Sequence, residues 1–255
     1  MHIIGKGTRA GRREPFCFVY LYQIVLPYKK EIVMCDHLDN KYNLTDKENK
    51  FVAKKNFVQL IHSNSKFEGV NTTLPQTKTI VEGMSVAGVS IDDIGVIVNL
   101  KRGWEYVINS KDEFNINSAK KINRIVARDD AIEPGAIRTG NVQIGGVEYE
   151  PDIPTEEELI NDTEIIVNNK SNSKTQNIIQ LMYTMMRKQY FWDGNKRTAI
   201  LFANYYMIRN GLGVLNINEL QMEEFNELLT KYYNTNNMNA ILKWTYDNCI
   251  YGIDR

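Results

Sequence analysis

From residue 45 onward, apolar positions recur three and four residues apart over most of the chain, the period of helices with one buried face. Thr45-x-x-Glu48 is a capping box, in which the Thr side chain accepts a backbone N–H and the Glu reaches back. It predicts a helix through about Ser63, with Phe51, Val52, Val58 and Ile61 for one face. Ser65 to Thr73 is polar and contains Gly69, a loop or helix end, and a short helix follows from Pro75 to Glu82. Ser90 caps the next helix, whose Ile97, Leu100, Trp104, Val107 and Ile108 form a core stripe; another spans about Ser118 to Arg128. Thr155-x-x-Glu158, a second capping box, opens a helix to about Asn168. Helices are expected at 176–188, Thr198–Asn210 (closed by Gly211), Glu219–Tyr233 and Met238–Asn248.

The period changes once. From Asn141 to Tyr149 polar and apolar residues alternate about Gly145-Gly146, a pair suited to a tight two-residue turn, so a β-hairpin is expected, ended by Pro151 and Pro154. The fold class expected is mainly α with one small β-hairpin. Residues 34–255 form a single domain without repeats.

Residues 1–33 differ. Lys6, Arg9, Arg12 and Arg13 precede an apolar stretch from Phe16 to Leu26 that resembles a signal peptide, yet no small-residue cleavage site follows. The stretch is shorter than the ~20 apolar residues that span a bilayer. It reads as a leader or upstream extension, with Met34 as an alternative start. Lys+Arg and Asp+Glu both number 31, so the formal charge is zero, which argues against nucleic acid or an anionic membrane as partner. Three cysteines, Cys17, Cys35 and Cys249, with no C-x-x-C pair, point to a reducing, cytoplasmic setting. Three histidines, none in H-E-x-x-H, exclude a zincin, and neither a P-loop nor a Rossmann glycine motif is present.

Candidate chemistry concentrates in Gln189-Tyr190-Phe191-Trp192-Asp193-Gly194-Asn195-Lys196-Arg197-Thr198-Ala199. Gly194 and Asn195 suit a tight turn into a helix N-terminus, where unpaired N–H groups and the dipole attract an anion. Asp193 offers a hard oxygen for Mg²⁺, and Lys196 and Arg197 add positive charge, arginine being able to grip phosphate bidentately. A plain polar turn with a capping Asp and two solvated bases accounts for the same residues.

This segment resembles the core motif of the Fic (Fido) family, H-P-F-x-[DE]-G-N-[GK]-R, from Phe191 to Arg197. Ser65 to Gly69 is similar to the family's N-terminal inhibitory motif, and Ile137 to Tyr149 to its target-positioning flap. The resemblance implies a Fic-type helical bundle with an N-terminal inhibitory helix at about 46–69. It implies transfer of AMP from ATP to a target-protein hydroxyl. Asp193 would hold Mg²⁺. Gly194, Asn195 and Lys196 would form the anion hole, and Arg197 would steady the phosphate tail. Ile144, Gly145 and Gly146 would clamp the target segment as an added strand. Asn204 is a weaker candidate for the nucleoside. Partners would be a nucleotide and a target segment, with a homo-oligomer left open.

The sequence departs from the pattern at its centre. The family's catalytic histidine is Gln189 and its proline is Tyr190. A glutamine amide cannot accept a proton near neutral pH, so a general-base contribution of ~10²–10⁴-fold is missing. Either a degenerate member or a change from an active parent explains this. His62 is expected to be a surface or capping residue, not a substitute base. The inhibitory motif begins with Asn64, and the place where many members of the family carry a second arginine is Ile200, so the resemblance leaves Glu68 either Arg197 or no partner, the latter being a solvated helix-end carboxylate. The function expected is a Fic-type adenylyltransferase, auto-inhibited by Glu68 and weakened by Gln189. The alternative is a non-catalytic nucleotide- or peptide-binding module. Phosphoryl transfer, as in the shorter Doc branch, ranks last.

Overall fold

Thr45 begins the ordered helices as the capping box predicts. Its side chain accepts from the Glu48 N–H, and the Glu48 carboxylate receives the Thr45 N–H at 2.8 Å. The computed structural model describes residues 37–254, and the leader expected over 1–33 lies outside them. The element order is α1 (Asp46–Lys55), α2 (Phe57–Ser65), α3 (Leu74–Val81), α4 (Ile91–Asn109), α5 (Ile116–Val126), α6 (Glu156–Val167), α7 (Lys174–Lys188) and α8 (Asn195–Arg209). Then come β1 (Val214–Leu215), α9 (Met222–Thr235), α10 (Asn239–Asn248) and β2 (Ile250–Tyr251).

The single helix expected over residues 46–63 is two. Asn56 leaves helical geometry (φ −101°, ψ 11°), and its side-chain Nδ2 donates to the Val52 carbonyl at 2.9 Å. A short amide that bonds its own backbone competes with helix propagation, which breaks the run there. Past α2, a 3₁₀ turn over Lys66–Glu68 ends at Gly69 and presents Glu68.

Helix α8 is the axis of the fold. All its residues from Arg197 to Ile208 are buried, and a helix buried on every face belongs inside a bundle. Helices α1, α4, α5 and α7 and strand β1 pack around it. The core includes Trp104, Ile122, Met186, Phe191, Leu201, Phe202 and Phe225. Phe114 stacks on Phe202, with ring centroids 4.2 Å apart.

The described residues are mainly helical with one small antiparallel strand pair, but that pair is not at Gly145-Gly146. It joins β1 to β2, with Val214 opposite Tyr251 and Leu215 opposite Ile250. Residues 141–150 form a turn, closed by the Val147 N–H to the Ile144 carbonyl at 3.4 Å, without a ladder. Positive φ falls on Gly146 alone (79°), whereas the turns that match strand twist carry it at the first glycine or at both. The alternation is still visible, since Val142, Ile144, Val147 and Tyr149 are half-buried between exposed polar neighbours.

Candidate active site

Helix α7 ends at Gln189, which adopts left-handed backbone (φ 50°), and α8 begins at Asn195, three residues earlier than the periodicity predicts. The reason is Gly194, whose positive φ (68°) turns the chain into the helix without a side-chain cap. A Cβ at that glycine would stand 2.8 Å from the Ala127 Cβ. Asn195, Lys196 and Arg197 therefore form the first turn of α8, where backbone N–H groups lack acceptors within the helix.

Arg197 is the centre of charge. It is 0% exposed, and its guanidinium faces three carboxylates. Nε lies 2.7 Å from Glu68 Oε1, Nη1 is 2.9 Å from Asp130 Oδ2, and Nη2 is 3.5 Å from Asp193 Oδ1. Nη1 also donates to the Val126 carbonyl at 2.6 Å, at the end of α5. The Glu68 approach is a charge contact, because the Nε–H is not aligned for a hydrogen bond. Burial raises the Glu68 carboxyl above the ordinary carboxylate range; Asp193 and Asp130 push the same way, against Arg197 and Lys196.

Gln189 and Asn195 are tied together. Asn195 Nδ2 donates to Gln189 Oε1 at 3.0 Å and to the Phe191 carbonyl at 2.8 Å, and its Oδ1 receives the Phe191 N–H at 2.9 Å. Gln189 Nε2 donates to the Met186 carbonyl at 2.6 Å. Both ends of the glutamine amide are thus engaged, and neither is a base. Tyr190 is buried and donates its hydroxyl to Asp162, whose Oδ2 also meets Lys188 Nζ at 2.6 Å. Burial raises the Tyr190 pKa far above its usual value, so the phenol stays protonated.

Two expectations need correction. Asn204 is fully buried and sews α8 to β1: Nδ2 donates to the Leu215 and Ile200 carbonyls (2.9 and 3.0 Å), and Oδ1 receives the Leu215 N–H at 2.8 Å. Both donor hydrogens are spent on backbone, so it has no hydrogen to offer a nucleoside. His62 is buried, not on the surface. It meets Thr77 Oγ1 at 2.9 Å and Glu219 at 3.3 Å beside a cavity of about 780 Å³ lined also by Lys66, Thr72 and Asn216.

Asp193 is half-exposed, and its Oδ1 accepts the Gly194 N–H. A single reachable carboxylate beside a helix N-terminus fits Mg²⁺, which commonly takes one or two carboxylates together with substrate phosphates. Among the described residues no three His, Cys, Asp or Glu side chains form a metal cluster, so an all-protein cage is not what the residues offer.

Sequence reasoning missed three residues. Asn123, buried on α5, donates Nδ2 to the Asp193 carbonyl (2.9 Å) and to Thr198 Oγ1 (3.0 Å), and its Oδ1 receives the Gly135 N–H. Asp130 follows α5, where the helix dipole disfavours acids, so the Asp129-Asp130 pair was a readable signal. Arg138 carried none.

Residues 113–207 match the model of the Fic/DOC family. The chain is 29% identical over 172 residues to the protein adenylyltransferase Fic of Aedes aegypti, covering 64% of this chain and 34% of that protein. It spans about a third of the length of the curated relatives that it matches. The fold is shared with Fic-1 (residues 134–508) of C. elegans, at 20% identity and TM-score 0.65, covering 77% of this chain and 62% of that one. It is shared too with a Fic-domain signaling protein from Bacteroides thetaiotaomicron, at 19% identity and TM-score 0.64, covering 80% and 85%.

Proposed function

We propose that this chain, whose residues 113–207 match the model of the Fic/DOC family, is an adenylyltransferase that moves AMP from ATP to a hydroxyl of a target protein, restrained by Glu68. The observation that carries the reading is the cluster at the first turn of α8: helix N–H groups, Lys196 and Arg197 converge where Asp193 stands. In this reading Gly194, Asn195 and Lys196 hold the anionic phosphates through backbone N–H groups and charge, and Arg197 steadies the tail. Asp193 would hold Mg²⁺, which neutralises phosphate charge when bound. Ile144, Gly145 and Gly146 offer exposed backbone to a target segment, an arrangement tolerant of sequence.

Glu68 sits on the face of Arg197 that a terminal phosphate would use. Binding ATP productively then requires Glu68 to leave the fully buried Arg197 guanidinium. Gln189 supports orientation only, so transfer by the chain as it stands is slow. The same residue favours a second reading, a nucleotide- or peptide-binding module without turnover. Its cysteine usage suits a reducing cytoplasm, and no helix among the described residues is long and apolar enough to cross a membrane.

Calorimetric titration of Mg·ATP into the chain and its Glu68→Gly variant tests the nucleotide site. The expected result is binding at least ~10-fold tighter in the variant, a difference of about 1.4 kcal/mol. Equal affinity in the two proteins, or no binding by either, overturns the assignment of Glu68 and Arg197.

A further inference from the structure

Arg138 is 0% exposed, and every side-chain hydrogen bond that it donates ends on a backbone carbonyl. Nε donates to Gln189. Nη1 donates to Gly140 at 2.7 Å. Nη2 reaches Pro151 (3.2 Å), Asp152 and Lys188 (3.3 Å). These carbonyls belong to three places: the first stem of the 141–150 turn, its second stem, and the C-terminal end of α7. The backbone agrees, since the Arg138 N–H donates to the Tyr190 carbonyl at 3.0 Å and Ile137 bridges Phe191. Trp192 packs over Gly140, its Cη2 2.8 Å from where a Cβ would stand.

The two stems lack the ladder that would hold an ordinary hairpin together. A planar guanidinium with five N–H groups can bridge three separate strands of backbone at once, which a lysine ammonium cannot do with fixed geometry. Its charge also suits the carbonyls at a helix C-terminus. The Arg138 side chain ties both stems together at the base of the turn, while the Glu148 N–H donates to Asn234 Oδ1 at 3.2 Å, Arg187 lies over the Tyr149 ring, and the tip, Gly145 and Gly146, stays exposed.

We propose that Arg138 is a positioning residue for target capture: it locks both stems of the flap to the carbonyls of Lys188 and Gln189, so that a segment bound along the flap is held in register with residue 189 and the α8 N-terminus. The proposal rests on the adenylyl-transfer reading above for its consequence, though not for the clamp itself. A role limited to filling the core would loosen the whole domain when removed. A clamp loosens the flap alone and leaves nucleotide binding in place.

The test uses the full chain carrying Glu68→Gly and Gln189→His, with Arg138 kept, changed to Lys, or changed to Ala. Hydrogen exchange is followed by mass spectrometry over residues 139–152 and over α4 and α8. Expected is exchange about tenfold faster or more over 139–152 in both Arg138 variants, with α4 and α8 little changed. Added methylguanidinium should restore protection in Arg138→Ala, where it can occupy the vacated space. Mg·ATP affinity should stay within about threefold, while AMP label on lysate proteins falls about tenfold. Unchanged flap exchange, or exchange rising equally across α4 and α8, overturns the clamp. If Arg138→Ala does not fold, Arg138→Lys decides by the same exchange pattern. If the parent variant with Arg138 intact labels nothing, the adenylyl-transfer reading fails, and exchange still judges the clamp.

Discussion

Glu68 Oε1 lies 2.7 Å from Arg197 Nε, joining the turn after α2 to the first turn of α8 across a sequence separation that no local pattern spans. Asp130 and the Val126 carbonyl hold the opposite side of the same guanidinium. Glu68 is therefore the one of its acidic partners that enters from outside the 113–207 segment. Losing Glu68 exposes one edge of Arg197 and leaves the rest pinned.

That arrangement sets a pH dependence. Burial raises the Glu68 carboxyl above its ordinary value, so only between the ordinary value and the raised one does the folded chain hold a proton there that the unfolded chain has released. The resulting stabilisation is fully present below the ordinary carboxylate pKa and is lost as pH rises through the folded one. Urea unfolding across that window should show the difference in stability between the native chain and Glu68→Gln shrinking as pH rises. A flat difference would mean that Glu68 titrates normally. Protonation of Glu68 also removes the negative charge that faces Arg197, so nucleotide binding by the native chain should improve towards the acid side, and binding by Glu68→Gln should lack that step.

Asp193 is half-exposed beside the α8 N-terminus. Its replacement by Ala should weaken ATP binding about tenfold or more with Mg²⁺ present and change it little with Mg²⁺ absent. The melting temperature should move by only a few degrees. Equal binding by Asp193→Ala in saturating Mg²⁺ would assign the metal to another group.

Asn204 is a matter of stability. Asn204→Leu leaves the Leu215 N–H and carbonyl buried without their partner, which should lower unfolding free energy by about 2–3 kcal/mol in denaturant titration. ATP affinity of the folded variant should be unchanged. A large loss of affinity with stability intact would return Asn204 to the nucleoside site.

The helices were legible because capping residues and apolar period agree: Thr45, Ser90 and Thr155 each cap where the sequence expects. The turn into α8 at Gly194 was legible from contiguous residues, and the Glu68–Arg197 contact was one of the two outcomes that the resemblance left open. The flap ladder was not, because which glycine takes positive φ depends on packing at the stems and not on the Gly-Gly pair itself. Asn204 misled because a buried amide and a ligand-binding amide look alike in sequence. Asn123 and Arg138 act through backbone carbonyls, contacts that leave no period or spacing behind, whereas Asp130 left a readable acidic pair after α5 that went unused.

The central claim is that the α8 N-terminus supports AMP transfer and is held back by Glu68 and Gln189. Left-handed backbone at residue 189 is tolerated by histidine, so Gln189→His should fold without strain. The direct measurement is mass spectrometry of lysate proteins after incubation with Mg·ATP and either the native chain or Glu68→Gly/Gln189→His. AMP-modified protein is expected from the double variant, at a rate ~10²–10⁴-fold above the native chain. A double variant that binds Mg·ATP yet leaves every protein unmodified would contradict it and make the site a binding module.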